Sequence, residues 1–150
     1  MASISLQPGI IYGPVLSRRL GRSIGINLLP VDCKVCSFDC VYCQYGRTIV
    51  HTKSPSREML PSAENALWAV EQALKKPRTI DVLTLSGNGE PTLHPDFIEI
   101  VRGVKELVDC IRPNVRIALL SNASRAMEDE IQPALQWIDL PIMKLDAGDP

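Results

Sequence analysis

The sequence lacks long apolar runs and shows no leader pattern at its start. No apolar stretch approaches the roughly 18–20 residues that a membrane-spanning helix needs. The first residues, MASISLQPGIIYGP, have neither the basic start nor the long apolar core of a secretory signal. With 150 residues and a hydrophobic fraction of 45%, the chain suits a soluble globular protein of one domain. We therefore expect a cytoplasmic protein with no membrane partner.

An excess of either charge is also missing, because 16 Lys and Arg nearly balance 17 Asp and Glu to give a net charge of −1. This balance argues against binding of nucleic acid by bulk electrostatic attraction. A local basic group, Arg18, Arg19 and Arg22, precedes the cysteine-rich segment. It has two interpretations, which are a solvated basic loop and a contact with a phosphate or carboxylate beside the cysteines. Internal repeats, low-complexity tracts and linkers are absent as well.

Cysteine is present in an odd number, five, which does not favour a disulfide framework. In a reducing compartment, a dense cysteine group indicates metal binding or catalysis. Cys36, Cys40 and Cys43 form a C-x3-C-x2-C pattern. Three thiolates are one too few to saturate a 4Fe–4S cluster, which normally takes four cysteine ligands. One iron would remain open to another ligand, so the pattern favours a cluster that takes part in chemistry.

Two other metal sites compete with this interpretation. With Cys33 the run becomes C-x2-C-x3-C-x2-C, which could supply four thiolates to a structural zinc ion. Zinc ribbons usually separate their two pairs by about 15–20 residues, so zinc is the less favoured site. A ferredoxin run is C-x2-C-x2-C-x3-C, which differs from this spacing. We therefore place Cys33 outside the cluster and expect Cys110 to be a small buried hydrophobic residue.

Strand-like and helix-like segments alternate along the chain. Short β-rich segments bounded by turn residues predict four strands, at residues 23–29, 80–85, 115–120 and 142–145. Apolar residues at helical spacing predict helices at 61–76, 97–111 and 128–137, the last one kinked or divided by Pro133. This alternation indicates an α/β fold of right-handed βαβ units, with a parallel sheet whose strands are buried. Four such units do not close a barrel. We therefore expect residues 1–150 to be the N-terminal part of a longer barrel-like domain, incomplete at its C-terminus.

Each unusual polar group follows a predicted strand. The cysteines follow the first strand, residues 86–90 the second, Ser121 and Asn122 the third, and Lys144 and Asp146 the fourth. In parallel β/α architectures, the carboxyl ends of the strands form the edge where ligands bind and chemistry occurs. The sequence therefore predicts an active site at this edge.

The same residues resemble a known enzyme family. The C-x3-C-x2-C motif with Tyr42 before its last cysteine, followed by a Gly-Glu-Pro turn after the next strand, resembles the radical S-adenosylmethionine superfamily. The stretch GPVLSRRLGRSIGINLLP…CSFDCVYCQYG resembles the subgroup related to wybutosine synthases, which modify tRNA. The resemblance implies a radical SAM core domain built on a partial (β/α) barrel.

The resemblance also implies a reaction. Cys36, Cys40 and Cys43 would ligate three irons of a 4Fe–4S cluster, and the open iron would bind the amino and carboxylate groups of S-adenosylmethionine. Reductive cleavage of this cofactor yields a 5′-deoxyadenosyl radical, which abstracts hydrogen from a substrate. The cofactor supplies this chemistry, while the protein orients it and excludes water. A modified tRNA base is the leading candidate substrate, and flavodoxin or ferredoxin would be ordinary electron donors.

Asn88, Gly89 and Glu90 occupy the Gly-Gly-Glu position of the family. There the backbone carbonyls and the acidic side chain hold the methionine ammonium. Asn88 replaces the commoner glycine, and the contact through its backbone survives that change. Gly89 would allow the main chain to approach the ligand closely. Without this context, Glu90 would be interpreted as a plain turn or surface carboxylate.

The remaining implied contacts involve single polar or aromatic residues. Ser121 and Asn122 would hydrogen-bond the methionine carboxylate or the ribose, and Tyr42 would pack beside the adenine. Lys144 and Asp146 would contact ribose or carboxylate, or would pair with each other.

Two other functions stay open. One is an activating enzyme that places a radical on a protein partner. The other is a zinc or iron–sulfur binding module without turnover.

Overall fold

The structure is a computed structural model that describes residues 3–145. In this part of the chain, a five-stranded sheet has the order β1-β2-β5-β6-β7, and a second sheet pairs β3 with β4. The strands are β1 Ile11–Ser17, β2 Gly21–Ile26, β3 Val35–Cys36, β4 Val50–His51, β5 Val82–Leu85, β6 Arg116–Ser121 and β7 Leu140–Met143. The helices are α1 Ala63–Lys75, α2 Phe97–Ile111 and α3 Gln132–Leu135. None of the helices described is long and apolar enough to cross a membrane.

The main sheet is mostly parallel. Strands β2, β5, β6 and β7 pair in parallel, with α1, α2 and α3 connecting them in turn. The predicted α/β class is therefore confirmed. The antiparallel strand β1, which pairs with β2 at one edge, was not predicted from the sequence. Its middle residues are exposed and include Gly13 and Pro14, so the strand shows no alternating apolar pattern.

Helix α2 covers one face of the sheet through a buried stripe of Phe97, Ile100, Val101, Val104 and Val108. These residues recur at the three- and four-residue spacing that places them on one side of a helix. The expected helix at 97–111 is confirmed. Cys110 was expected to be buried but is exposed. It follows the buried Val108 by two residues, which is about half a helical turn, so it lies on the solvent side.

Helices α1 and α2 pack closely against each other. The Ser62 hydroxyl accepts a hydrogen bond from the Asn65 N–H and so caps the start of α1. At the other end, the Arg112 guanidinium donates to the Leu74 carbonyl at 2.7 Å. Gly103 of α2 lies against Leu67 of α1, where a Cβ atom would be 2.6 Å from a Leu67 methyl carbon. These contacts hold both helices over the sheet and leave its carboxyl edge to the connecting loops.

The fourth parallel strand differs from expectation. It spans Leu140–Met143 instead of residues 142–145, and it is the edge strand of the sheet, with Ile142 37% exposed. The predicted burial of this strand was therefore wrong for the described residues. The preceding helix, α3, is only four residues long, with Pro133 in its first turn. A proline in that position starts a helix and cannot continue one from upstream, so the predicted helix at 128–137 is much shortened.

Arg18 and Arg19 lie in the turn between β1 and β2, and Arg22 lies near the start of β2. The Arg22 guanidinium pairs with Asp81 at 3.0 Å, just before β5 begins. This pair lowers the pKa of Asp81 from 3.8 to about 2. Strand β2, about 15–20 Å long, separates these arginines from the cysteine segment that follows its carboxyl end. Nearness in sequence to the cysteines was therefore misleading, and a ligand contact beside them is not supported.

Candidate active site

The carboxyl edge of the parallel strands brings three of the predicted polar segments into contact. The Glu90 carboxylate accepts hydrogen bonds from the Ser121 hydroxyl at 2.8 Å and from the Asn122 N–H at 2.7 Å. The Asn122 side-chain amide donates to the sulfur of Cys36 at 3.5 Å. The segments that follow β2, β5 and β6 thus meet at one place, as the strand-end argument predicted. The roles of the individual residues remain predictions.

Strand β3 holds the first cysteine against the turn that carries Glu90. The Val35 N–H donates to the Asn88 carbonyl at 3.0 Å, and the Glu90 N–H donates to the Val35 carbonyl at 3.2 Å. Gly89 has φ +144°, and a Cβ atom there would overlap the Val35 carbonyl oxygen. The approach to Val35 thus requires glycine at this position, and the approach to a ligand that the sequence predicted stays a prediction.

The other two cysteines lie in the turn that follows. Cys40 and Cys43 are half-buried, and the Cys43 N–H donates to the Cys40 carbonyl at 3.0 Å. The buried Lys34 donates from its ammonium to the Gly46 carbonyl at 2.8 Å and so closes the loop behind Cys43. All these cysteines are free thiols.

Within residues 3–145, no three His, Cys, Asp or Glu side chains are grouped so that they could hold one metal ion. A four-thiolate zinc site would need such a group. A 4Fe–4S cluster binds each thiolate through a different iron, so its ligands need not surround a single ion. Three free thiols in the segment 36–43, beside a buried carboxylate and an amide donor, fit the cluster by their donor chemistry.

The sulfur of Cys36 lies in a confined environment, and only 8% of the residue is exposed. Burial raises the pKa of the Cys36 thiol, and the nearby Glu90 raises it further. Hydrogen bonds from the Phe38 backbone and the Asn122 amide act in the opposite direction. The positive charge of Lys34 also lowers this pKa, so the thiolate form that binds iron depends on these two donors, on Lys34 and on the metal charge.

Glu90 is not a surface carboxylate, because only 2% of it is exposed. Its Oε1 atom accepts from the Thr92 N–H, the Thr92 hydroxyl and the Ser121 hydroxyl. Its Oε2 atom accepts from the Asn122 N–H. A carboxylate offers about four acceptor positions, two on each oxygen. Among the described residues, three donors share the two positions of Oε1, which has no position to spare, whereas Oε2 has one donor and can accept another.

The side chain of Asn88 turns away from this carboxylate and holds the N-terminal segment. Its Oδ1 accepts from the Gln7 N–H at 2.7 Å, and its Nδ2 donates to the carbonyls of Gln7 at 3.0 Å and Pro30 at 2.7 Å. The Gln7 side chain in turn donates to the Tyr45 hydroxyl at 2.9 Å. Asn88 therefore connects the N-terminal segment to the cysteine loop, a role that glycine could not have.

We expect replacement of Asn88 by Ala to lower the melting temperature of the metal-free protein by about 4–10 °C. The change leaves the Gln7 N–H and two carbonyls without partners, at about 1–3 kcal/mol for a buried unsatisfied group. Each kcal/mol corresponds to about 2–4 °C at this size. The exposed Asn114→Ala variant is the matched control and should melt like the parent in a thermal denaturation. Equal melting of the two variants would contradict the structural role of the Asn88 amide.

Tyr42 and Lys144 contact each other at the same edge. The Lys144 ammonium lies 4.1 Å from the centre of the Tyr42 ring, and the Lys144 N–H donates to the Ser121 carbonyl at 2.9 Å. A contact of this kind contributes about 0.5–1 kcal/mol at exposed sites. Asp146 lies outside the described residues, so its contact with ligand or with Lys144 remains a prediction.

Three polar residues at the site were missed by sequence reasoning. The His51 ring is 2.7 Å from the Ser37 carbonyl, and the hydroxyls of Ser37 and Ser124 are 2.6 Å apart. Together they fix the segment that carries Cys36. No spacing or motif marks them, because they come from three distant segments that meet only in the folded sheet.

Comparison with known proteins supports the family resemblance. The family model described as Radical SAM superfamily matches residues 31–150. A UPF0026 protein of Helicobacter pylori is 39% identical over 95% of this chain and 44% of its own length. A UPF0026 protein of Methanocaldococcus jannaschii is 40% identical over 93% of this chain and 41% of its own length. A Brachyspira hyodysenteriae protein named GTPase Obg is 34% identical over 93% of this chain, but over only 19% of its own length.

The chain therefore spans less than half the length of these curated relatives. No solved structure matches the chain. The name UPF0026 states no activity.

Proposed function

The chain belongs to the radical SAM superfamily, and from this premise we propose that it binds a 4Fe–4S cluster and S-adenosylmethionine and cleaves the latter reductively. One observation carries the proposal. The segment of Cys36, the buried carboxylate of Glu90 and the amide of Asn122 are in contact at the carboxyl edge of the parallel strands. A set of thiols beside a carboxylate at this edge suits a cluster with a neighbouring cationic ligand.

The cysteines Cys36, Cys40 and Cys43 would hold the cluster. When bound, the cluster and S-adenosylmethionine supply the electron and the sulfonium C–S bond whose cleavage gives a 5′-deoxyadenosyl radical. The Glu90 Oε2 atom, with its remaining acceptor position, suits the methionine ammonium. The low exposure of Glu90 and Cys36 keeps water from both groups.

The wider context of the site is also part of the proposal. We place the four parallel strands in a partial (β/α) barrel that the rest of a longer protein would extend. Residues 1–150 would be its radical SAM core.

Reduced cysteines suit the cytoplasm, with flavodoxin or ferredoxin as electron donor. The resemblance to the wybutosine-related subgroup favours a modified tRNA base as substrate. The alternative enzyme is an activating enzyme that places a radical on a protein partner. The alternative without catalysis is a zinc or iron–sulfur binding module.

The test is anaerobic reconstitution with iron and sulfide, followed by dithionite and S-adenosylmethionine. We expect 5′-deoxyadenosine and methionine in equal amounts by chromatography. The Cys110→Ala variant is the control, because its thiol lies on the solvent side of α2. A protein that carries the cluster and binds S-adenosylmethionine, yet forms no 5′-deoxyadenosine, would support the binding module instead.

A further inference from the structure

The geometry points to Asn122 as a positioning residue that sets the reduction potential of the cluster through a hydrogen bond to the sulfur of Cys36. This inference rests on the proposed function, since it requires that Cys36 ligate the cluster. It differs from the contact with methionine carboxylate or ribose that the family resemblance implied for this residue. The two roles predict different measurements.

The contact itself is between the Asn122 Nδ2 and the Cys36 Sγ at 3.5 Å. The same Nδ2 donates to the Ser37 hydroxyl oxygen at 3.0 Å. Both amide protons of Asn122 are therefore directed at the cysteine-bearing segment. A bound ligand would have to compete with these partners for the amide.

The orientation of this amide is fixed by its other end. The Asn122 Oδ1 accepts from the Ser124 N–H at 2.9 Å. If the amide were turned by 180°, its oxygen would face the Cys36 sulfur and its NH₂ group would face the Ser124 N–H. Two donors would then oppose each other, so the orientation with the NH₂ group at the sulfur is favoured. The Asn122 backbone N–H is held in addition by Glu90. Asn122 thus presents a donor to the sulfur from a position anchored at both ends.

A donor at a ligand sulfur changes the energetics of reduction. The reduced cluster carries one more negative charge, part of which resides on its sulfurs. A hydrogen bond to a sulfur stabilises that form more than the oxidised form and so raises the potential. Loss of the Asn122 amide should therefore make the cluster harder to reduce.

The experiment is a redox titration of the anaerobically reconstituted protein, without S-adenosylmethionine, followed by electron paramagnetic resonance. We expect the midpoint potential of Asn122→Ala to shift to more negative values. At the midpoint of the parent protein, the ratio of reduced to oxidised cluster should fall about fivefold, as for the loss of one hydrogen bond. Asn114→Ala is the matched control. It makes the same Asn-to-Ala change at an exposed turn before β6, at the opposite end of that strand from Asn122, and should leave the midpoint unchanged.

A second variant and a second readout make the result decisive. Asn122→Asp keeps the side-chain shape, replaces the donor with an acceptor and adds a negative charge, so it should shift the midpoint further in the same direction. An unchanged midpoint in either variant that carries a cluster would overturn the inference. If such a variant also bound S-adenosylmethionine more weakly, Asn122 would contact the methionine carboxylate or ribose instead. If both variants fold but load no cluster, Asn122 is needed for assembly and the inference is again overturned. If the parent itself loads no cluster, the proposed function fails first.

Discussion

Replacement of Cys40 by Ala should abolish the 4Fe–4S cluster, whereas replacement of Cys33 by Ala should leave it intact. After anaerobic reconstitution, the parent and Cys33→Ala should each contain about four irons and four sulfides per chain. Cys40→Ala retains two of the three cysteine ligands and should contain less than about one iron and one sulfide per chain. Iron and sulfide assays together with the visible absorption spectrum measure the difference.

The structure gives a reason for the contrast. Cys33 is half-buried against the small apolar cluster of Leu29, Val35 and Leu93. Burial raises the pKa of the Cys33 thiol as it does that of Cys36, so the contrast between the cysteines rests on position and not on pKa. Cys40 lies in the loop that the buried Lys34 closes behind Cys43. The cluster would therefore form on the loop, away from Cys33.

Two results would contradict this ligand assignment. If Cys33→Ala lost the cluster while Cys36→Ala retained it, the first ligand would be wrongly assigned. One tightly bound zinc per chain without sulfide would favour the four-thiolate zinc site. Both results can be read from the same metal assays.

The parts of the molecule that the sequence predicted well are those set by local patterns. The stripe of Phe97, Ile100, Val104 and their neighbours defines α2, because apolar residues at a period of 3.6 mark one face of a helix in the sequence itself. The meeting of the segments that carry Glu90 and Asn122 followed from a topological rule, since the carboxyl ends of neighbouring parallel strands lie at one edge, although the contact between the two residues was not predicted. No knowledge of side-chain packing was needed for either.

What the sequence did not predict depends on pairing between distant segments. Gln7 and Asn88 are 81 positions apart, and the side-chain amide of Asn88 bonds the backbone of Gln7 as a neighbouring strand would. Periodic patterns in the sequence do not indicate such a contact. Arg22 was placed near the cysteines because linear distance was taken for spatial distance, although a whole strand lies between them. The exposure of Ile142 depends on whether a further element covers the edge strand, which is a property of the assembled sheet.

Replacement of Glu90 by Ala should reduce both stability and affinity for S-adenosylmethionine, because its two oxygens have different partners. The change leaves the hydroxyls of Thr92 and Ser121 and the N–H groups of Thr92 and Asn122 without their acceptor. At about 1–3 kcal/mol for each buried unsatisfied group, partly relieved by water, the melting temperature should fall by about 10 °C. Affinity measured by equilibrium dialysis should fall at least about tenfold, as for loss of a charged hydrogen bond.

Two further variants separate the structural oxygen from the ligand oxygen. Thr92→Val removes one donor to Oε1, so it should lower the melting temperature by a few degrees and leave the affinity unchanged. Glu90→Gln can keep an acceptor for Thr92 and Ser121, but its NH₂ group would then face the Asn122 N–H and could not accept from an ammonium. This variant should therefore lose affinity about as strongly as Glu90→Ala while remaining more stable. If Glu90→Gln bound S-adenosylmethionine like the parent, Oε2 would not be the atom that meets the cofactor, and the carboxylate would serve only to join β5 to β6.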